Sequence, residues 1–277
     1  MRRIYIIPNI VTAFSLACGL FVIFKVNMLE PGMGTYKSLM ISTLILLLAA
    51  FADWFDGTIA RLMHAESEFG VLFDSLSDAV TFGVAPSVLM LKSLTLERGT
   101  PLSFYVIVGA MVFSICGILR LVRFNVIQAK LKKLPKHVLK KHRHFTGFPI
   151  PAGALTIVST NLLLAYPRFA KWVLFSQSTQ ALIMATIAIV IGYCMISRVK
   201  FPSAKALYFR VPSFQLIFVS VILAFFFLYG TLYFFPITLT VAVWSYFFLG
   251  WTLAIIRFFV GKKSKTLADF EPATDDL

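Results

Sequence analysis

The chain has 277 residues and is 59% hydrophobic but only 14% charged, with a mean hydropathy of +0.86. Soluble domains carry about 25% charged residues, and apolar runs of about 20 residues, enough to cross a bilayer as a helix, recur here from end to end, which excludes a single soluble core. The net charge of +14 comes from Lys and Arg placed between apolar runs, a pattern set by membrane orientation rather than by nucleic acid.

Length and hydropathy predict an all-α polytopic transmembrane bundle of about eight spans, at roughly 7–27, 38–63, 69–95, 103–126, 149–166, 178–197, 213–231 and 236–258. The first span begins like a signal peptide, basic and then apolar. Pro8, Asn9 and Thr12 interrupt it early, and Lys25 follows without a small-residue cleavage site, so a retained helix is expected. Pro8, Pro101, Pro149, Pro151, Pro202, Pro212 and Pro236 fall near span ends, where a missing N–H is tolerated. Pro86 lies inside the third span and is expected to kink it. Cys18, Cys116 and Cys194 lie in apolar runs with no metal or disulfide spacing, and read as small buried side chains.

Orientation follows from the short loops. Arg2, Arg3, the loop with Lys130, Lys132, Lys133, Lys136, Lys140, Lys141 and Arg143, the loop with Arg198, Lys200, Lys205 and Arg210, and the tail with Lys262, Lys263 and Lys265 share one side if there are eight spans. Both termini are therefore expected in the cytoplasm, and the protein in the cytoplasmic (inner) membrane. His137, His142 and His144 lie among cations that would repel a metal ion. The expected organisation is one transmembrane catalytic domain over 1–260 and a polar cytosolic tail over 261–277.

The chain has 12 acidic residues, and Asp53, Asp56, Asp74 and Asp78 lie in or beside apolar helical segments. None occurs between Glu97 and Asp269. Ionisable groups at membrane depth are expensive and functional by default. Asp53, Asp56 and Ala60 share one face of the second span, and Gly70, Asp74 and Asp78 one face of the third. An antiparallel pair of these helices brings four carboxylates together near the cytosolic boundary, where they need compensating cations. Hard divalent ions with oxygen ligands, Mg²⁺ or Mn²⁺, are the natural partners, and a pair of ions suits phosphoryl displacement. Gly57 and Ala60 leave room for a ligand near the backbone, although small residues also serve helix packing. Arg61 either holds a phosphate oxygen or is an interfacial cation paired with Glu66.

The string Asp53-x2-Asp56-Gly57-x2-Ala60-Arg61-x8-Gly70-x3-Asp74-x3-Asp78 resembles, in full, the signature of the CDP-alcohol phosphatidyltransferases. The segments SEFGVLFDSLSDAVTFGVAP, RLVRFN and FTGFPIPAGA, with Pro8-Asn9-x2-Thr12 near the start, look like the bacterial-type phosphatidylserine synthases within that family. The likeness covers about residues 5–160, the expected catalytic core.

The resemblance implies transfer of the phosphatidyl group of CDP-diacylglycerol to L-serine with release of CMP, and a homodimer. It implies Asp53, Asp56, Asp74 and Asp78 as metal ligands for Mn²⁺ or Mg²⁺, with Asp78 also the general base for the serine hydroxyl. Gly57, Ala60, Arg61 and Gly70 would line the CDP site, with Asn9 and Thr12 contributing. Arg120, Arg123 and Asn125 would bind serine or phosphate; the plain alternative for the arginines is a cationic helix end. The same chemistry with glycerol 3-phosphate, choline or inositol phosphate is the nearest alternative. A transporter is disfavoured because all intramembrane acid sits in one helix pair, without repeated halves.

Overall fold

The computed structural model describes residues 6–28, 36–62, 67–97, 99–131, 147–172, 175–197 and 213–260, which are helical without strands. Segments this apolar can satisfy every backbone N–H and C=O in lipid only by closing them within a helix. The helices are α1 (Ile6–Asn27), α2 (Tyr36–Leu62), α3 (Glu68–Asp78), a π-helical turn (Ala79–Val84), α4 (Ala85–Ser93), α5 (Pro101–Leu131), α6 (Ile150–Leu164), α7 (Pro167–Trp172), α8 (Gln177–Ile196), α9 (Ser213–Tyr233) and α10 (Phe235–Val260). Proline begins α5 and α7 and falls in the first turn of α6 and α10, where no N–H is needed.

Five of these helices contain stretches long and apolar enough to cross a bilayer, within α1, α2, α5, α8 and α10. Their outer faces expose Phe21, Phe24, Leu48, Phe51, Ile115, Tyr193 and Phe248, the surface of an integral membrane protein. α6 is apolar and buried along most of its 15 residues, which marks it as the central helix. It packs against α2, α4, α8 and α10, while α1 packs against α2, α3, the π turn and α4. α5 lies along α8, and α9 packs on α10. Glycine permits the closest crossing: a Cβ on Gly109 of α5 would fall 2.9 Å from the Ala185 carbonyl oxygen of α8.

The expected third span is present in three pieces. The departure from α geometry precedes Pro86: the π turn occupies Ala79–Val84, and Ala85 N–H bonds the Val80 carbonyl five residues back. Pro86 sits in the first turn of α4, where its ring fits without strain. The wider turn leaves the Gly83 carbonyl open to side chains, and it accepts Ser114 Oγ of α5 at 2.9 Å. α7, a six-residue helix after α6, is an element the hydropathy pattern does not announce. Cys18 and Cys194 are buried, and all three cysteines are free thiols. The basic segment with Lys132–Arg143, the histidines within it, the loop with Arg198–Arg210 and the tail 261–277 lie outside the described residues.

Candidate active site

The acidic residues sit where α2 ends and α3 begins. Asp53 and Asp56 are one turn apart in the C-terminal half of α2. α3 starts at a proper cap: Ser67 has extended backbone, and its Oγ accepts the Gly70 N–H at 2.9 Å. Asp74 and Asp78 then follow Gly70 one and two turns along the same face.

α1 ties these two helices together. Thr12 Oγ1 donates to Asp56 Oδ2 at 2.7 Å, and Asp56 is 4% exposed. The Thr12 carbonyl accepts Ser77 Oγ of α3 at 3.2 Å. One turn deeper, the Ser15 carbonyl accepts Thr81 Oγ1 of the π turn at 3.2 Å, and Ser15 Oγ donates to the Ala49 carbonyl of α2 at 3.3 Å. At Gly19 a Cβ would fall 2.7 Å from the Thr81 Cα, so only glycine allows this crossing. Thr12, Ser15 and Gly19 thus form one small, polar face of α1 against the acid-bearing helices.

The outcome is a tight acidic group. Carboxylate oxygens of Asp53, Asp56 and Asp74 lie within 4.8 Å of one another. Asp78 stands within hydrogen-bonding reach of Asp53, beside that trio. At 4.8 Å each ionised pair repels by about 3 kcal/mol at an effective dielectric of about 20. The donor set, carboxylate oxygens without Cys or His, fits a hard divalent cation such as Mg²⁺ or Mn²⁺.

The other expected site residues divide. Asn9 Oδ1 lies 3.2 Å from where a Gly70 Cβ would be, and Ser67 Oγ 3.0 Å. Gly70 is therefore the place where α3 admits the Asn9 amide of α1 against its own cap. Gly57 is exposed, and a Cβ there would meet no described atom within 4 Å. It faces open space and not a helix crossing. Ala60 and Arg61 continue the backbone of α2, and their side chains lie outside the described residues.

The three residues of the RLVRFN segment have separate surroundings. Arg120 is half-buried and lies within electrostatic reach of Asp78 and of Tyr246 of α10. Its Nε is shielded from solvent and has no hydrogen-bond partner among the described residues. Arg123 Nη1 donates to the Ile196 carbonyl at 3.3 Å, at the end of α8. Asn125 Nδ2 reaches Ser75 Oγ of α3 at 2.8 Å, and the Ser75 hydroxyl lies 3.1 Å from Asn125 Oδ1. Ser75, Ser77 and Tyr246 are contributors that spacing does not single out. Ser75 and Ser77 flank the acidic face within DSLSD, and Tyr246 is distant in sequence with no periodicity linking it to the site.

Residues 5–193 match the family model described as CDP-alcohol phosphatidyltransferase. The chain is similar to a Bacillus subtilis protein named CDP-diacylglycerol–serine O-phosphatidyltransferase, at 32% identity over 72% of this chain and 91% of that protein. Proteins of the same name from Helicobacter pylori and Methanocaldococcus jannaschii are also similar. The first is 31% identical over 81% of this chain and 84% of its own length. The second is 32% identical over 73% of this chain and 76% of its own length.

Proposed function

We propose that this chain, which belongs to the CDP-alcohol phosphatidyltransferase family, transfers the phosphatidyl group of CDP-diacylglycerol to the hydroxyl of L-serine and releases CMP. The observation that carries the reading is the Asp53, Asp56 and Asp74 group with Asp78 beside it, between α2 and α3. The names of the similar proteins support serine as the acceptor.

In this reading Asp53, Asp56, Asp74 and Asp78 hold two divalent ions, Mn²⁺ or Mg²⁺. Bound there, the ions supply charge neutralisation on the diphosphate and make CMP a better leaving group. Thr12 fixes the Asp56 carboxylate through its hydroxyl, as outer hydrogen bonds do for ligating groups. Asp78 takes the proton of the serine hydroxyl, a weak nucleophile at neutral pH. The serine oxygen forms a bond to the phosphorus that carries diacylglycerol, and the bond from that phosphorus to CMP breaks. Gly57 leaves space for the CDP group, lined also by Ala60, Arg61 and Gly70, with Asn9 beside Gly70. Arg120 offers its guanidinium to an oxyanion of the substrates. Arg123 and Asn125 support it by fixing the end of α8 and the flank of α3.

The membrane setting follows from the donor. An apolar groove along α2, lined by Leu44, Leu47, Leu48, Ala50, Phe51 and Trp54, runs toward the acid-bearing end of that helix and suits the acyl chains. We place the chain as eight spans in the cytoplasmic membrane, with both termini and the site facing the cytosol, as one catalytic domain over 1–260, a tail over 261–277 and a homodimer. Basic loops on one side favour that orientation.

The test is a panel of alcohols given to the purified protein with CDP-diacylglycerol and Mn²⁺, with and without chelator. CMP release with serine, abolished by chelation, is expected. Release with glycerol 3-phosphate but not serine overturns the acceptor assignment.

A further inference from the structure

α3 and α4 are anchored on different neighbours, and the π turn between them serves both. α3 is tied to α1: Ser77 Oγ donates to the Thr12 carbonyl at 3.2 Å, and one turn on Thr81 Oγ1 donates to the Ser15 carbonyl at 3.2 Å. α4 is tied to α5: Ser87 Oγ reaches the Ala110 carbonyl at 3.2 Å. Asp78 stands at the start of the turn between these anchors, and Gly83 near its end. An α-helix turns about 100° per residue. The extra residue held in the π turn therefore sets α3 about that far around from where unbroken α geometry would put it. Relaxation of the turn, with α4 still seated on α5, would swing the acidic face of α3 about its axis. Ser77 would leave the Thr12 carbonyl, and Asp78 would leave hydrogen-bonding reach of Asp53.

α5 supplies what holds the wide turn. Ser114 Oγ donates to the Gly83 carbonyl at 2.9 Å. It lies 2.8 Å from Ser87 Oγ, which is itself 3.4 Å from the same carbonyl. Two hydroxyls thus join the π turn, α4 and α5 at one point. Phe82, Gly83 and Ser87 are buried, where a polar group without a partner is costly. The hydroxyls therefore favour the backbone register that presents the Gly83 carbonyl to them. Ile150 of α6 fills the space beside this contact. Its Cδ1 lies 3.9 Å from where a Gly83 Cβ would be, and 2.9 Å from where a Gly117 Cβ would be on α5.

We propose that Ser114, with Ser87, is a positioning residue: its hydroxyl latches the π turn against α5 and thereby fixes the rotation of α3 that puts Asp78 beside Asp53. The inference rests on the metal-dependent transferase reading above. It gives α5 a part in building the metal site through backbone register, without contact to ion or substrate.

The experiment titrates Mn²⁺ into the purified full chain as wild type, Ser114→Ala and Ser93→Ala. The Mn²⁺ dissociation constant is read from the rise in melting temperature with no substrate present, and CMP release with serine is measured beside it. Ser93 is the control. Its Oγ lies 3.0 Å from Asn161 Oδ1 and accepts Asn161 Nδ2 at 2.8 Å, joining the far end of α4 to α6. Its loss removes comparable hydrogen bonding from the same helix, away from the turn. Ser114→Ala is expected to weaken Mn²⁺ binding about tenfold, the fold-change of one buried hydrogen bond, and to slow CMP release. Ser93→Ala lowers the metal-free melting temperature but shifts the Mn²⁺ constant by less than about twofold. A wild-type Mn²⁺ constant in Ser114→Ala overturns the proposal, as does equal weakening in Ser93→Ala. If the wild type binds Mn²⁺ but releases no CMP with serine, the acceptor assignment fails, and the Mn²⁺ constants still decide the latch. If Mn²⁺ does not raise the wild-type melting temperature, the metal reading fails and the latch falls with it.

Discussion

Thr12 shows how one side chain serves two jobs. Its hydroxyl fixes Asp56 at 2.7 Å, and its carbonyl receives Ser77. Thr12→Val keeps the shape and removes the donor, so the Mn²⁺ concentration for half-maximal CMP release is expected to rise about tenfold or more, as for other outer-ligand losses. An unchanged Mn²⁺ dependence would detach Thr12 from the metal site. Asp78→Asn removes the proposed base while nearly preserving volume, and CMP release is expected to fall at least about 100-fold with the melting temperature maintained. Retained turnover would remove Asp78 from that role. Gly57→Ala isolates ligand space from folding. With no described atom within 4 Å, a methyl group there leaves stability unchanged or raises it by up to about 1 kcal/mol, while KM for CDP-diacylglycerol rises. The aspartates were legible because helical spacing puts them on two faces and membrane depth makes them conspicuous. The different fates of Arg120 and Arg123 were not, because i and i+3 on a helix end say nothing about which neighbour each side chain meets.

Helices sharpen that contrast. The extents of α1, α2, α5, α8 and α10 follow hydropathy, because a bilayer demands a stretch of fixed length, whereas the expected third span is broken and α6 has only 15 residues. The π turn over Ala79–Val84 was invisible, since hydropathy carries no information about hydrogen-bond register. It follows Asp78 directly and lies under the Gly19 crossing, so α1 and the acidic helix are locked at the point where the helix changes pitch. Gly19→Val would force α1 off the Thr81 backbone, 2.7 Å from the new Cβ. The expected loss is about 1–3 kcal/mol, seen as a lower melting temperature in detergent, with loss of metal activation because Thr12 shifts with α1. A melting temperature equal to wild type would mean that α1 and the π turn are not packed as described.

Assembly of the whole bundle was the least legible, because partners in space are set by surface complementarity between distant segments. Nothing in the order of helices says that α5 runs along α8, or that α10 returns to α6 and sets Tyr246 against Phe148. What composition did convey is the membrane itself. Three carboxylates within 4.8 Å form a site that a divalent ion stabilises in the folded state alone. Saturating Mn²⁺ is therefore expected to raise the melting temperature of the wild type and to leave Asp53→Asn nearly unaffected. An equal rise in both would place the ion elsewhere. The most direct test of the account follows the atoms: isotopically labelled serine, CDP-diacylglycerol and Mn²⁺ are given to the purified chain, and lipid and nucleotide products are measured by mass spectrometry. The account predicts labelled phosphatidylserine and CMP in equal amounts, neither appearing with chelator or with Asp74→Asn. CMP without labelled lipid, or labelled lipid undiminished in Asp74→Asn, would contradict it.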